Sequence, residues 1–289
     1  MDKVIVGITS KNRVTVLPKA IESALEQTYP NLKVVVFDDA STDGTHLLQE
    51  KYPQVEWIIS DVPKGYMYAR NLFLHLDKEA KYFCSLDDDA WFLSKDTLTR
   101  VIKFLDANPK VGAVALDILS PDDASVEVNI NPPIEYTETS TYIGCGHLLN
   151  IEHALSAGGY LQSPGFYGSE EKDLCIRLMD KSLLIILARG AFVWHDKTNI
   201  SRDLRKQHQS GVCNDLVFTY RRAPWYLLIQ VLCYKCISHL RFAFFNRKEN
   251  LVKPCLLGFK DFFNFLKIPN KQRMAVSYAA YSKFLRLQK

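Results

Sequence analysis

The sequence predicts an α/β fold, a mainly parallel sheet covered by helices. Three observations carry this. Short apolar, β-branched runs alternate with helix-spaced segments over roughly the first 115 residues. Polar clusters follow directly on several strand runs, where open parallel α/β sheets bind ligands. At 289 residues, 47% hydrophobic and 24% charged, the chain can bury one large core, alone or with an appendage.

The elements follow in order. Residues 4–8 are apolar and β-branched and read as a first strand. Residues 17–27 place Leu17, Ile21, Ala24 and Leu25 at helical spacing. A second strand covers 33–37, and the turn-rich Ser41-Thr42-Asp43-Gly44 leads into a short helix over 45–51. A third strand is expected over 55–59, a helix over 68–76, a fourth strand over 82–86, a helix over 97–105 and a fifth strand over 111–116. Residues 117–140 are polar and irregular (SPDDAS, NPPIEYTETS) and read as a loop or edge excursion. After 143–151 come the glycine-rich AGGYLQSPGFYGS, a helix from about 171 to 181, and two short strands, 183–187 and 191–194.

Charge divides the chain. Residues 1–195 hold 18 Lys+Arg against 27 Asp+Glu, whereas residues 196–289 hold 18 against 5, within a net charge of +4. An acidic front and a basic back suggest two tasks, so the expected domains are 1–200 and 201–289. The opening MDKVIVGITS enters a strand-like run with no cationic start and apolar core, which implies no secretory signal and a cytoplasmic location. Seven scattered cysteines suit a reducing compartment. The CxxC pair Cys233 and Cys236, among apolar neighbours and without a second pair, reads as one helix face.

The fourth strand ends in SLDDDAWF. Three adjacent carboxylates repel one another. Either they are a solvated turn or a cation sits among them. The first strand ends in Thr9-Ser10-Lys11-Asn12-Arg13 and the second in Asp38-Asp39, so parallel strands would bring all three clusters to one rim. Mg²⁺ or Mn²⁺, hard cations held by a few carboxylates plus substrate phosphates, would turn such an acidic rim into a diphosphate site.

The order and spacing of six segments resemble a family-2 glycosyltransferase, the inverting nucleotide-sugar transferases, here of the bacterial cell-surface polysaccharide type. VIVGITSKNR resembles the family's opening strand, VVVFDDASTDGT its base- and ribose-binding turn, and GYMYARN its glycine…Ala-Arg-Asn element. SLDDDAWF fits its DxD motif, GSEEKDLCIRL its acidic helix start, and FVWH the strand ending in a metal-ligating histidine. The resemblance covers roughly residues 3–200. It implies a GT-A fold, a Rossmann-like mixed sheet flanked by helices, here with a basic helical C-terminal extension.

The resemblance also implies roles. Thr9, Asn12 and Arg13 would line the nucleoside pocket, unless they are an ordinary polar loop. Asp38 or Asp39 would accept from the base, with its neighbour near the ribose; Ser41 and Asp43 read as turn and cap residues. Arg70 would approach the donor diphosphate or pair with a rim acid, and Asn71 follows it. Asp87 would reach the ribose or donor sugar, Asp88 would add field, and Asp89 would ligate the metal. His195 would contact the metal or the diphosphate. Glu171 would be the base that takes the acceptor proton, with Glu170 the alternative; acids at a helix N-terminus are favourable in any case. Trp91 either walls the sugar site or is an ordinary aromatic. Gly144, Cys145 and Gly146 would line the acceptor side. Asp173 and Arg177 have the spacing of a structural i,i+4 pair.

Residues 218–265 interleave aromatics with Lys and Arg. The best apolar run, 225–234, is too short to span a bilayer. It suits a helix lying in the interface, after Arg221 and Arg222, with 259–265 as a second contact; a helical subdomain packed on the core is the alternative. The acidic front and the lack of a recognisable binding module argue against nucleic acid. The resemblance implies a nucleoside diphosphate sugar and a glycan or lipid-linked glycan acceptor as partners, and the tail an anionic membrane surface, the inner face of the cell membrane. Two rivals fit less: a metal-binding signalling module would be far shorter, and a sugar-nucleotide synthesising enzyme would open on a glycine-rich phosphate loop, which VGITSKNR is not.

Overall fold

The computed structural model describes residues 1–123, 129–197, 203–246, 250–269 and 273–288. The domain boundary expected at 200–201, and residues 124–128 of the expected irregular stretch, lie outside the described residues.

The β-branched runs pair into one nine-stranded sheet. Its strands are β1 (Lys3–Ser10), β2 (Leu32–Asp39), β3 (Glu56–Ser60), β4 (Ala80–Asp87), β5 (Ala90–Phe92), β6 (Val111–Leu119), β7 (Glu135–Glu138), β8 (Gly146–Asn150) and β9 (Leu184–His195). The order is β3-β2-β1-β4-β8-β6-β9-β5, with β7 pairing β9 off that path. β1, β2, β3 and β4 are mutually parallel neighbours. β8 runs antiparallel between β4 and β6, so the sheet is mixed, not mainly parallel. The parallel half is buried on both faces, and Val4, Ile5, Val6 and Ile8 are fully buried in β1. Each such side chain contributes about 1.5–3 kcal/mol of burial.

Helices α1 (Leu17–Leu25) and α4 (Thr97–Ala107) cover one face, and α3 (Tyr66–His75), α5 (Ile151–Ser156) and α6 (Glu170–Asp180) the other. A single 3₁₀ turn (Thr45–Leu47) and the short α2 (Leu48–Lys51) precede β3. Four helices complete the chain: α7 (Leu204–Arg222), α8 (Leu228–Phe245), α9 (Val252–Leu266) and α10 (Tyr278–Leu287). Tyr281 and Phe284 of α10 join Leu174 and Leu178 of α6 in the core on that face, while Val212, Leu216, Ala243, Cys255 and Phe262 make a separate core for α7, α8 and α9.

Two expectations change, and one strand was not foreseen. The two strands expected at 183–187 and 191–194 are one strand, β9, bulged around Gly190, whose φ is +89°. The stretch 117–140 is not all loop: β6 runs on to Leu119, and β7 adds an edge to β9. The three-residue β5 pairs antiparallel with β9, Ala90 opposite His195. A strand so short has no periodicity to read and is defined by its partner.

Among the described residues, α8 is long and apolar enough to cross a membrane by length and composition alone. The run 225–234 looked too short because Lys235 and His239 interrupt it. Both turn inward to Asp215 of α7, at 3.3 Å and 2.9 Å. Of α8 only Ala243 is buried.

Candidate active site

Parallel pairing brings the polar strand ends to one rim. Ser10 lies opposite Asp38 and Thr9 opposite Asp87. The chain then reverses through Asp88 and Asp89 into β5, whose pairing with β9 delivers His195. His195 Nε2 stands 3.2 Å from Asp89 Oδ1. The opposite wall is the first turn of α6, carrying Glu170 and Glu171, and the loop before β8, carrying Gly144 and Cys145. The cleft between them holds about 430 Å³. Thr9, Arg13, Arg70, Asp87, Asp88, Asp89, Glu170, Glu171 and His195 all line it.

Arg70 sits at the floor, buried, between the two acidic walls. Its guanidinium donates to the Gly144 carbonyl at 3.0 Å and lies 3.4 Å from Asp87, 3.5 Å from Glu171 and 3.8 Å from Glu170. The Tyr66 ring is 4.9 Å from it and the Tyr160 ring 5.8 Å. An arginine is permanently charged, so it holds four acceptors in one geometry at any working pH. A Cβ on Gly144 would come within 2.6 Å of both Arg70 Nη2 and Glu171 Oε1. Only glycine lets the backbone reach the guanidinium there.

The two glutamates differ. Tyr66 Oη donates to Glu170 Oε1 at 2.7 Å, and burial beside Glu170 and Glu171 keeps that phenol protonated. Arg70 reaches Glu171 at the longer distance of 3.5 Å. Burial, then the Glu170 charge, push its carboxyl well above the usual carboxylate range, and Arg70 opposes them. Asp88 is pushed up to about 7, chiefly by burial, with Arg13 opposing and Asp89 and Asp87 adding. Arg13 Nε lies 3.7 Å from Asp88.

A divalent cation finds a fitting donor set. Ligand atoms of Asp87, Cys145 and His195 lie within 4.8 Å of one another, and Asp89 adjoins His195. Burial and Asp87 push the Cys145 thiol up, and a soft sulfur is a poor ligand for a hard cation. Two carboxylates and an imidazole remain, a hard oxygen-rich set of the kind Mn²⁺ or Mg²⁺ accepts.

Asn12, Asp38, Asp39, Asn71, Trp91 and Gly146 lie outside the cleft lining. Asn12, at φ +55°, takes a hydrogen bond from Thr42 N and donates its own N–H to Ser41 Oγ, tying the 10–14 loop to the 38–45 turn. Asp43 adds bonds from Val14 N and Thr45 N. Asp39 accepts from Lys64 N and Gly65 N and sets the start of α3. Asp38 accepts from Ser41 N, and its buried Oδ2 has no hydrogen-bond partner among the described residues. Both ends of the Asn71 amide are bonded to the Tyr160 backbone. Trp91 stacks on Trp194 under the Lys19 ammonium, away from the cleft. Asp173 and Arg177 do pair, at 3.0 Å.

Sequence reasoning missed Tyr66 and Tyr160, which position Arg70 and Glu170. Tyr66 could have been found, because it sits four residues before Arg70 on the same helix face. Tyr160 could not: it reaches Arg70 only through the fold, in a chain where Tyr142 Oη meets Tyr160 Oη at 3.1 Å and Tyr160 Oη meets His147 Nε2 at 2.7 Å.

A mixed, helix-flanked sheet with an acidic rim at the ends of its parallel strands defines a GT-A glycosyltransferase fold. The sequence pattern described as glycosyl transferase family 2 matches residues 5–140. Residues 5–140 therefore carry a family-2 glycosyltransferase pattern. It is 25% identical over 182 residues to a protein of Bacillus subtilis (strain 168) named for teichuronic acid biosynthesis, covering 60% of this chain and 70% of that one. It is 35% identical over 98 residues to the UDP-Glc:alpha-D-GlcNAc-diphosphoundecaprenol beta-1,3-glucosyltransferase of Escherichia coli, covering 33% of this chain and 39% of that one. Among solved structures, the Pyrobaculum calidifontis mannosyltransferase in complex with GDP-Man and Mn²⁺ superposes with TM-score 0.61 at 18% identity, covering 98% and 79% of the two chains. S. aureus TarS 1–349 in complex with UDP-GlcNAc superposes with TM-score 0.65 at 16% identity, covering 99% and 83%. These likenesses show the fold.

Proposed function

We propose that the chain transfers a sugar from a nucleoside diphosphate donor to an acceptor hydroxyl, with inversion, in the assembly of a cell-surface or lipid-linked glycan. The observation that carries this is Glu171. Its carboxyl is held high by burial and Glu170, and it faces the strand-end acids Asp87 and Asp89 across one cleft. A base of raised pKa accepts a proton more strongly once ionised. Glu171 takes the acceptor O–H proton, the acceptor oxygen bonds to the anomeric carbon, and the bond from that carbon to the phosphate oxygen breaks. The nucleoside diphosphate leaves with the electron pair. Glu170, held by Tyr66, is the positioning partner. Asp38, with its unpartnered Oδ2, is the candidate acceptor for the base, and Thr9 and Arg13 line the nucleoside side. Asn12, Asp39 and Asn71 serve by holding the loops that shape this site.

Asp89 and His195, with Asp87, would hold Mn²⁺ or Mg²⁺. Such an ion supplies positive charge to the leaving diphosphate when bound. The P. calidifontis and TarS structures, with GDP-Man and Mn²⁺ and with UDP-GlcNAc, support a nucleotide-sugar donor. The E. coli relative's diphosphoundecaprenol-linked acceptor supports a lipid-linked one. On this reading residues 1–200 catalyse, and the basic, aromatic 201–289 dock on the inner membrane face.

The test is thermal stabilisation by UDP, GDP and dTDP, each with and without Mn²⁺, on the wild type and Asp89→Asn. One nucleotide is expected to raise the melting temperature only with metal and only with Asp89. A shift that survives Asp89→Asn unchanged removes the metal assignment, and no shift from any nucleotide removes the donor reading.

A further inference from the structure

A second cavity, larger than the cleft at about 630 Å³, lies on the far side of the first turn of α6, between α7 and α8. The start of α6 lines both. Glu170 and Glu171 face the cleft, while Ser169 and Lys172 face the second cavity, and Tyr167 lines both. Ser169 holds this division in a left-handed conformation, φ +80°, with no capping hydrogen bond from its side chain. Such backbone persists where the surroundings enforce it, and it clusters at functional sites.

The carboxylate on the cavity wall is ringed by basic groups. Lys172 pairs with Asp215, and Lys235 and His239 reach the same carboxylate at 3.3 Å and 2.9 Å. Burial would raise the Asp215 pKa, but Lys172, His239 and Lys235 outweigh it and hold the group far below the usual carboxylate range. Two lysines and a histidine therefore share one negative charge. At the mouth, Phe242 both lines the cavity and is half exposed, next to the exposed Phe244 and Phe245 of α8.

A glycine keeps the space open. Gly211 stands inside the 19-residue α7, where glycine weakens a helix. A Cβ there would meet nothing within 4 Å, so no packing contact explains it. By contrast, a Cβ on Gly258 of α9 would strike Gln209 O at 2.6 Å.

We propose that this cavity seats the phosphate-bearing, lipid-linked end of the acceptor, a polyprenyl diphosphate type of group. Lys172 and Ser169 meet the phosphate, and Phe242 meets the first units of the lipid. The attached sugar reaches over the α6 partition to Glu171. The proposal rests on the glycosyl transfer proposed above, and it adds the subsite that the acceptor's lipid-linked phosphate occupies.

The test is calorimetric binding to the full chain in EDTA without nucleotide, so that it does not depend on the donor site. The probes are farnesyl diphosphate, inorganic diphosphate and farnesol. Farnesyl diphosphate is expected to bind about tenfold or more tightly than either of the other two, because charge and apolar contact act together. Lys172→Gln and the cavity-filling Gly211→Met should each weaken it about tenfold or more, whereas Lys172→Arg and Asp89→Asn should stay within about twofold. Gly211→Met should melt no lower than wild type, since it removes a helix-interior glycine. Equal binding of inorganic diphosphate, no effect of Lys172→Gln and Gly211→Met, or loss in Asp89→Asn would overturn the proposal. Farnesyl diphosphate binding without any nucleotide stabilisation would count against the donor site alone.

Discussion

Arg70 makes the chemistry of the cleft depend on atoms placed to a fraction of an ångström. It holds Glu171, Glu170, Asp87 and the Gly144 carbonyl together. Gly144→Ala would thrust a methyl group between Arg70 and Glu171. The expected result is a fall in kcat of about 10²-fold, the usual cost of a misplaced reacting group, with a melting temperature near wild type. Unchanged turnover would mean Arg70 does not set the base. Glu171→Gln removes the proton acceptor and should cost about 10²–10⁴-fold in kcat while leaving nucleotide stabilisation in place. The pH profile follows from the direction of the Glu171 shift. The base works ionised, and burial and Glu170 raise its pKa, so kcat/KM should climb with pH through a midpoint above the ordinary glutamate value of about 4.3. Glu170→Gln removes the repelling charge and should move that limb to lower pH. A limb that stays in place would show that the two carboxyls are not coupled in catalysis.

At the scale of elements, Asp173 clamps α6 to α7. It accepts from Arg222 at 2.7 Å and 3.1 Å and from Arg177 at 3.0 Å, all three groups buried. Asp173→Ala would leave two guanidiniums facing each other without a counter-charge. A loss of about 3–5 kcal/mol is expected, read by urea unfolding, and a loss under about 1 kcal/mol would show that water reaches the site. The i,i+4 spacing of Asp173 and Arg177 was legible in the sequence because it is local. Arg222 was not, because 49 residues separate it from Asp173. The same division runs through the site. Strand-end acids were readable, since periodicity places β1, β2 and β4 and a parallel sheet then aligns their ends. The uses of Asp39 and Asn71 were not, since their partners, Lys64–Gly65 and the Tyr160 backbone, are brought to them by the fold. The bulged β9 and the short β5 were missed for the same reason: each is defined by the strand beside it.

At the scale of the whole molecule, the question is how α8 meets its surroundings. Trp225, Tyr226, Ile229, Tyr234, Ile237, Phe244 and Phe245 are exposed on or just before it, a larger apolar face than a monomer ordinarily leaves in water. The helix is long enough to span, but its inner side argues otherwise. Lys235 and His239 are bound to Asp215, which also binds Lys172 of α6. A spanning α8 would carry this ion cluster, and α7 with it, into hydrocarbon at a cost of several kcal/mol per charge. On the membrane-docked reading proposed above, α8 would lie flat, keep the cluster on the protein side and turn its aromatics to lipid, with the basic C-terminal segment beside anionic headgroups. The full chain is therefore expected to float with vesicles containing about 30% phosphatidylglycerol and much less with neutral vesicles, binding falling as salt shortens the screening length. Ile237→Glu with Phe244→Glu should abolish flotation and leave nucleotide stabilisation intact, because neither residue touches the cleft. Flotation unaffected by both substitutions would place the membrane contact elsewhere. Flotation that resists high salt and alkaline carbonate in the wild type would mean that α8 spans after all.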